Sequence, residues 1–251
     1  MQTGADGLIL SHVDLPNESR IFVILTKELG LISAVANRSK SMKGKIASAT
    51  DTFVYSHFEF FKGRGKDLYV MDSAEPIEHF YDLRTDLFKL SLAAYLSEIT
   101  QSLSPRGEQV EGFLRLLLNS LYMLANKKKD EGFVKPLFEL RACTMAGFMP
   151  DLVCCCECGK YEDELLLFNI EQGKLYCSHC GKEDAFTYPI SLSVLTAMRH
   201  IIYSDLKQLF SFTIGKQSEE VLQFICEKYL LIQTGIAYKS LDYYKSLMTL
   251  P

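Results

Sequence analysis

The feature that most constrains this chain is a pair of Cys-x-x-Cys motifs, formed by Cys155 and Cys158 and by Cys177 and Cys180. A glycine follows each motif, and the apolar residues between the motifs predict a β-hairpin that returns the second pair to the first. Thiolates three positions apart can bind one ion from a tight turn, and two such turns complete a tetrahedral zinc site. Because four sulfurs fill the coordination sphere, we expect one structural Zn²⁺ rather than a catalytic one.

The neighbouring residues leave the choice of ligands open. Cys154 and Cys156 flank the first cysteine of the set, and His179 lies inside the second pair, so each is an alternative ligand. A redox-active dithiol is the other common use of the motif, but no βαβ pattern surrounds either pair. Cys143 and Cys226 lie on apolar faces of predicted helices, which is typical of core residues.

The part of the chain before Pro76 is rich in β-branched and aromatic residues, which predicts β-strands. The predicted strands cover residues 8–10, 21–25, 31–35, 53–61 and 67–71. Lys27 to Gly30 predicts a compact hairpin connection, in which Gly30 is free to adopt a positive φ. Five short strands without a clear helix between them predict a small barrel, either of the OB type or SH3-like.

After Pro76, apolar residues recur at helical spacing instead. The predicted helices cover residues 83–101, 108–126, 133–145, 191–203 and 218–234. The predicted fold class is therefore α+β and multidomain, with an N-terminal β-barrel followed by an α-helical domain that contains an inserted zinc module. We expect the barrel at residues 1–80, the helical domain at 81–153 and 190–251, and the zinc module at 154–189.

Charge is distributed unevenly along the chain. The net charge is −4, yet the segment from Arg20 to Lys66 contains nine basic and three acidic residues, a net charge of +6. Clustered positive charge attracts phosphates even on an acidic protein, so we expect an oligonucleotide groove on the barrel. The candidate basic residues are Arg20, Arg38, Lys40, Lys43, Lys45 and Arg64, and the candidate aromatic residues are Phe22, Phe53 and Tyr55. A solvated loop without a ligand is the alternative for the stretch from Arg38 to Lys45.

Several classes of protein lack support in the sequence. The chain has no nucleophile elbow, Walker motif or dinucleotide fingerprint, and its five histidines are scattered, so we do not expect an enzyme. It has no uncharged apolar run of membrane-spanning length, and its start has no basic segment ahead of an apolar one. We therefore expect a cytoplasmic protein without a membrane partner.

Segments spread along the chain match one known family. They are residues 7–10, 18–20, 27–30, 92–98, 138–141, 147–152 and 239–241. The most specific stretch runs from Phe138-Glu139-Leu140-Arg141 to the first Cys-x-x-Cys pair. Over residues 5–248 the chain resembles the bacterial DNA repair family RecO, a family of recombination mediators.

This resemblance implies an N-terminal OB fold, a helical domain and a cysteine-type zinc site. It also implies binding of single- and double-stranded DNA, annealing of complementary strands and, together with RecR, loading of RecA onto DNA coated by SSB. The family binds the C-terminal tail of SSB on its helical domain, and its DNA contacts match Arg20 and the stretch Arg38, Lys40, Lys43 and Lys45. We expect a nucleoid-associated protein. The alternatives are a scaffold that binds only proteins through its barrel and zinc module, and, with less support, a zinc-dependent hydrolase of nucleic acids.

Overall fold

The structure is a computed structural model that describes residues 2–16, 19–36, 45–62, 68–105, 110–163, 165–182 and 184–249. Close contacts divide the chain into two compact units, residues 1–126 with 240–251 and residues 127–239. This division is coarser than the three domain ranges predicted from the sequence, which stay a prediction. Within the described ranges, no helix has the length and apolar character needed to cross a membrane.

Five strands of the first unit form a closed barrel. They are β1 (Gln2–Asp14), β2 (Arg20–Thr26), β3 (Gly30–Ala36), β4 (Tyr55–Lys62) and β5 (Leu68–Glu78). Their order is β1-β2-β3-β5-β4, and β4 pairs back onto β1. The β3–β5 pairing is parallel, over Ser33–Val35 and Leu68–Val70, whereas the other pairings are antiparallel. This OB-like barrel confirms the predicted fold class, although the sequence did not predict the short helix α1 (Lys45–Ala49) between β3 and β4.

The barrel is held together by its apolar interior. Phe22, Phe58 and Phe60 are completely buried there, and the rings of Phe58 and Phe60 stack with their centroids 5.5 Å apart. Removing such rings from water is the main favourable contribution to folding of a small barrel. The predicted fourth strand began too early, because Phe53 is buried with a left-handed backbone (φ 64°) and β4 therefore starts at Tyr55.

Besides α1, the first unit contains α2 (Leu87–Leu103), α3 (Glu111–Ala125) and α7 (Lys239–Met248), and a 3-10 helix at Tyr81–Thr85 precedes α2. The α2 helix begins later than predicted because the Asp86 carboxylate accepts hydrogen bonds from the backbone N–H groups of Phe88 and Lys89. The sequence did not predict α7. The α7 helix is attached to α2, which is distant in sequence, because the Glu98 carboxylate of α2 accepts hydrogen bonds from the backbone N–H and the hydroxyl of Ser240.

The second unit combines helices with a small sheet. Its elements are α4 (Glu131–Met145), β6 (Leu166–Asn169), β7 (Lys174–Cys177), β8 (Thr187–Ile190), α5 (Leu192–Tyr203) and α6 (Lys216–Thr234). The predicted hairpin corresponds to β6 and β7, and β8, which was not predicted, pairs with the other edge of β6. Cys143 in α4 and Cys226 in α6 are completely buried, as expected of core residues.

A buried ion pair joins α4 to α6. The Lys135 ammonium lies 2.8 Å from a carboxylate oxygen of Glu139 in the same helix and 2.8 Å from one of Glu227 in α6. Burial lowers the pKa of Lys135, but the two carboxylates outweigh that effect and raise it above the usual range. Each of the three charged groups therefore has an oppositely charged partner, which lowers the cost of placing it in a low-dielectric interior.

Candidate metal centre and nucleic-acid surface

The local backbone places the two cysteine pairs in matching tight turns. The Gly159 N–H donates to the Cys155 carbonyl and the Gly181 N–H donates to the Cys177 carbonyl, each at 2.9 Å. Gly159 has a φ of 74°, which lies in the region that favours glycine, and this explains why a glycine follows the first cysteine pair. The Cys156 N–H donates to the Leu175 carbonyl at 2.9 Å, so the first turn is tied directly to β7.

These turns bring four sulfur atoms together. The Sγ atoms of Cys155, Cys158, Cys177 and Cys180 all lie within 4.8 Å of one another, and this is the only such cluster among the described residues. The sulfurs of Cys158 and Cys177 are 3.7 Å apart. Cys155 and Cys177 are almost completely buried, whereas Cys158 is exposed. The four side chains can therefore hold one metal ion at the surface of the module.

The electrostatics of the cluster suit a cation. Burial raises the pKa of Cys155, but backbone N–H groups of Cys158, Cys177 and Glu157 outweigh it and lower that pKa to about 6. Hydrogen bonding to the sulfurs of Cys177 and Cys158 raises the pKa of Cys180 to about 12. Four thiolates this close repel one another, so full ionisation of the set requires a positive ion among them.

The three alternative ligands lie outside this cluster. Cys154, Cys156 and His179 are not members of the group of four sulfurs. A hydrogen bond with the exposed Cys156 raises the pKa of Tyr176 to about 12, which places Cys156 beside that phenol instead. The side chains brought together are thus the four that the motif spacing predicts.

Two residues that sequence reasoning missed hold the cysteine module against the helices. From α5, the Arg199 guanidinium donates to the carbonyls of Leu152, Val153 and Tyr161 at 2.8–3.1 Å and lies 4.2 Å from the centroid of the Tyr161 ring. From α6, the Gln233 amide donates to two carbonyls in the turn between β6 and β7. No sequence pattern identifies such contacts, because their acceptors are backbone carbonyls of irregular segments.

The expected DNA contacts are only partly within the described residues. Arg20, at the start of β2, donates from Nε to Asp14 Oδ1 at 2.7 Å, so a carboxylate accompanies its charge. Lys45 is the first residue of α1. The remaining predicted contacts lie outside the described residues, namely Arg38, Lys40, Lys43 and Arg64.

For the predicted groove, two of the three candidate aromatic residues, Phe22 and Phe53, are wrong. Phe22 and Phe53 are 0% and 5% exposed, and they belong to the packed interior, so neither ring is available for stacking on a base. Tyr55 is half-buried, and burial together with the nearby Asp6 and Glu28 carboxylates raises its pKa. Alternating strand patterns do not distinguish the two faces of a barrel when aromatics fill its inside.

The barrel surface around Tyr55 is acidic. His57 Nδ1 lies 2.6 Å from Asp6 Oδ1, and His57 Nε2 lies 3.5 Å from Glu59 Oε1, so two carboxylates share one imidazole across β1 and β4. The Glu28 carboxylate accepts a hydrogen bond from the Asp6 N–H at 3.1 Å. Phosphates are therefore repelled from this part of the barrel.

Comparison with known proteins covers both units. The family models Recombination protein O N terminal and Recombination protein O C terminal match residues 1–80 and 84–242. The chain is similar to the DNA repair protein RecO of Acetivibrio thermocellus, at 30% identity over 96% of this chain and 95% of the relative. It is also 31% identical to the protein of that name from Caldicellulosiruptor saccharolyticus, over 96% and 97% of the two chains. The chain therefore belongs to the recombination protein O family.

Proposed function

We propose that this protein is a recombinational DNA repair mediator that works by binding rather than by catalysis. The observation that carries the proposal is that both family models match consecutive parts of a chain whose first unit contains an OB-like barrel. Barrels of this kind bind oligonucleotides on one face and through their loops. In this role the protein binds single- and double-stranded DNA, anneals complementary strands and, with RecR, loads RecA onto strands coated by SSB.

The proposed DNA contacts are electrostatic. Arg20, Arg38, Lys40, Lys43, Lys45 and Arg64 neutralise phosphates, which is a contribution that does not depend on base sequence. The acidic surface around Asp6 and Glu59 disfavours DNA on that part of the barrel, which supports DNA binding on one side of the barrel only. The second unit supplies the surface for the SSB tail.

The experiment that tests this function is an anisotropy titration with labelled oligonucleotides at increasing salt concentration. Affinity should fall steeply with salt, and changing Lys40, Lys43 and Lys45 together to Glu should weaken binding to all sequences and reduce the salt slope. A matched control changes Lys174, Lys207 and Lys216 to Glu, which alters the net charge equally using exposed lysines of the second unit. Equal effects of both variants would contradict a barrel contact. Absence of binding even at low salt would favour the protein-only scaffold.

We also propose that the four-sulfur cluster holds one Zn²⁺ in a structural role. Tetrahedral thiolate coordination suits zinc and leaves no position for a substrate or an activated water. Cys155, Cys158, Cys177 and Cys180 are the ligands. Metal analysis of the purified protein should give one zinc for each chain.

A further inference from the structure

Three exposed side chains surround Arg199, where the cysteine module meets α5. The Arg199 Nη2 donates to the carbonyls of Val153 and Tyr161 at 2.8 and 3.1 Å, and the guanidinium lies 4.2 Å from the centroid of the Tyr161 ring. Tyr203 lies one helical turn beyond Arg199 in α5. The pKa of Tyr203 is raised, because burial and the Asp151 carboxylate outweigh the charge of Arg199. Val153, Tyr161 and Tyr203 therefore form one contiguous surface, called the tyrosine face below.

The tyrosine face is open to solvent although its members are apolar or aromatic. Val153 is 52% exposed, Tyr161 56% and Tyr203 51%. The hydrogen bonds from Arg199 fix the backbone of Val153 and Tyr161, and Tyr203 belongs to a helix, so the face is formed without a partner. Tyrosine rings provide a large contact area at a low cost in side-chain entropy, which is why they are frequent among the residues that dominate protein interfaces. A contiguous exposed set of this kind indicates a contact surface.

The charge of the chain around the tyrosine face is negative. Residues 151–190, which contain the four cysteines of the cluster and β6 to β8, have eight acidic and three basic residues, a net charge of −5. Asp151 and Glu162, which lie beside the face, are both exposed. Four thiolates holding one Zn²⁺ would add a further net charge of −2. Arg199 contributes one positive charge at the centre, but its Nε and Nη2 groups already bind three backbone carbonyls.

This negative charge selects among the possible occupants. Nucleic acid is disfavoured, because its phosphates would lie against a surface of the same sign. A symmetric contact with a second copy is disfavoured for the same reason, since a two-fold axis places each acidic face against an identical one. A protein segment that presents lysine or arginine around an apolar side chain is complementary in both charge and polarity. Its cations can also stack on the exposed tyrosine rings, as Arg199 does on Tyr161.

We infer that the tyrosine face docks a basic segment of a partner protein, which contacts the face through an apolar anchor side chain. This contact is separate from the DNA contacts proposed for the barrel, because it uses residues of the second unit and attracts the opposite charge. It also gives the cysteine module a second role. The stretch from Val153 to Tyr161 contains the first cysteine pair and also forms part of the face, so the turn that binds the metal presents the docking surface.

The test measures the anisotropy of a short labelled peptide in which lysines surround a central Phe-Leu pair. Two comparison peptides replace the lysines by glutamates or the Phe-Leu pair by serines, and both should bind more weakly. Tyr161→Ser with Tyr203→Ser should weaken binding of the first peptide about tenfold while zinc content is unchanged, because two rings of the contact are lost. Tyr161→Phe with Tyr203→Phe keeps both rings and should retain most of the affinity. The matched control, Tyr81→Ser with Tyr243→Ser, removes two exposed tyrosines of the first unit and should bind as the wild-type protein does.

A second pair of variants tests the charge of the surface. Asp151→Asn with Glu162→Gln keeps the shape of the side chains and should weaken binding of the basic peptide at low salt. The difference from the wild-type protein should disappear as the salt concentration rises, because exposed charges are screened. Glu111→Gln with Asp242→Asn is the matched control, which neutralises two exposed carboxylates of the first unit and should have little effect.

Each contrary result would overturn the inference in a different way. The wild-type protein would fail to bind the basic peptide, or the serine variant and its control would lose equal affinity, if the face were not a docking site for basic segments. Loss of affinity for a thymidine single strand in the Tyr161 and Tyr203 serine variant would show a nucleic-acid contact instead. Loss of a concentration-dependent dimer in that variant, measured by sedimentation, would show a contact between copies of this chain. The DNA contacts proposed for the barrel are tested separately, by the variant of Lys40, Lys43 and Lys45.

Discussion

The barrel and the cysteine module obtain their stability from different sources. β1 and β5 of the barrel have 13 and 11 residues, and a continuous apolar core fills the space they enclose. β6, β7 and β8 have four residues each, and the module that they form brings four sulfurs to one point. A long closed sheet buries enough apolar surface to stabilise itself, whereas short strands need a further cross-link. Metal removal and core substitutions should therefore change the stability of one region without changing that of the other.

The largest expected effect is removal of the metal. Cys177→Ser, or chelation of the wild-type protein, should release one zinc and unfold the module, because structural zinc contributes about 10–16 kcal/mol of apparent folding energy in small modules. Hydrogen exchange should show lost protection at residues 151–182 and unchanged protection in β1 to β5. Cys154→Ser is the matched control and should keep its zinc. Retention of zinc by the Cys177 variant would show that the ligand set is wrong.

An intermediate effect is expected from the barrel core. Phe58→Ala should reduce the free energy of unfolding of the barrel by about 3–5 kcal/mol, because the ring is fully buried against Phe60 and leaves a cavity. Phe61→Ala removes the same ring from the outer side of the same strand and should cost less than half as much. Denaturant titration measures both, and the zinc content of both variants should be normal. Equal costs would contradict the assignment of the two faces of β4.

The smallest expected effect is a pH dependence at the acidic surface. The hydrogen bond with Asp6 raises the pKa of His57 above its ordinary value of 6.5, and Glu59 adds to it. A raised histidine pKa stabilises the fold fully below 6.5, and this contribution is lost as pH rises through the folded-state value. Because His57 is largely exposed, the contribution should stay below about 1 kcal/mol.

Comparison with His57→Gln isolates this contribution. The difference in unfolding free energy between the wild-type protein and the variant should decrease between pH 6 and pH 8 and then stay constant. Glu75 lies opposite His57 on β5, so the same measurement on Glu75→Gln tests whether a third carboxylate takes part. A difference that does not vary with pH would mean that the imidazole gains nothing from Asp6 and Glu59.

Some structural elements of this protein can be predicted from its sequence, and others cannot. The cysteine spacing, the strand segments and most helices were predicted, because each depends on neighbours close in the chain. The start of α2 at Leu87 was missed by a few residues, since the cap is made by the side chain of Asp86. The α7 helix was missed because only Leu241, Tyr244 and Leu247 are buried and its anchor is the distant Glu98.

The sequence by itself determined the chemistry of the four-sulfur cluster and the family to which the chain belongs. Both depend only on the order of residues along the chain, namely the spacing of the cysteines and the long local matches to the family. Only the tertiary structure decided which aromatic rings are available at the surface. Phe22 and Phe58 turn inward, and strand pairing aligns Phe61 with Val70 and Val35 outside. The physical reason is that alternation specifies two faces of a strand, whereas register and closure decide which face is solvent and which residues meet across strands.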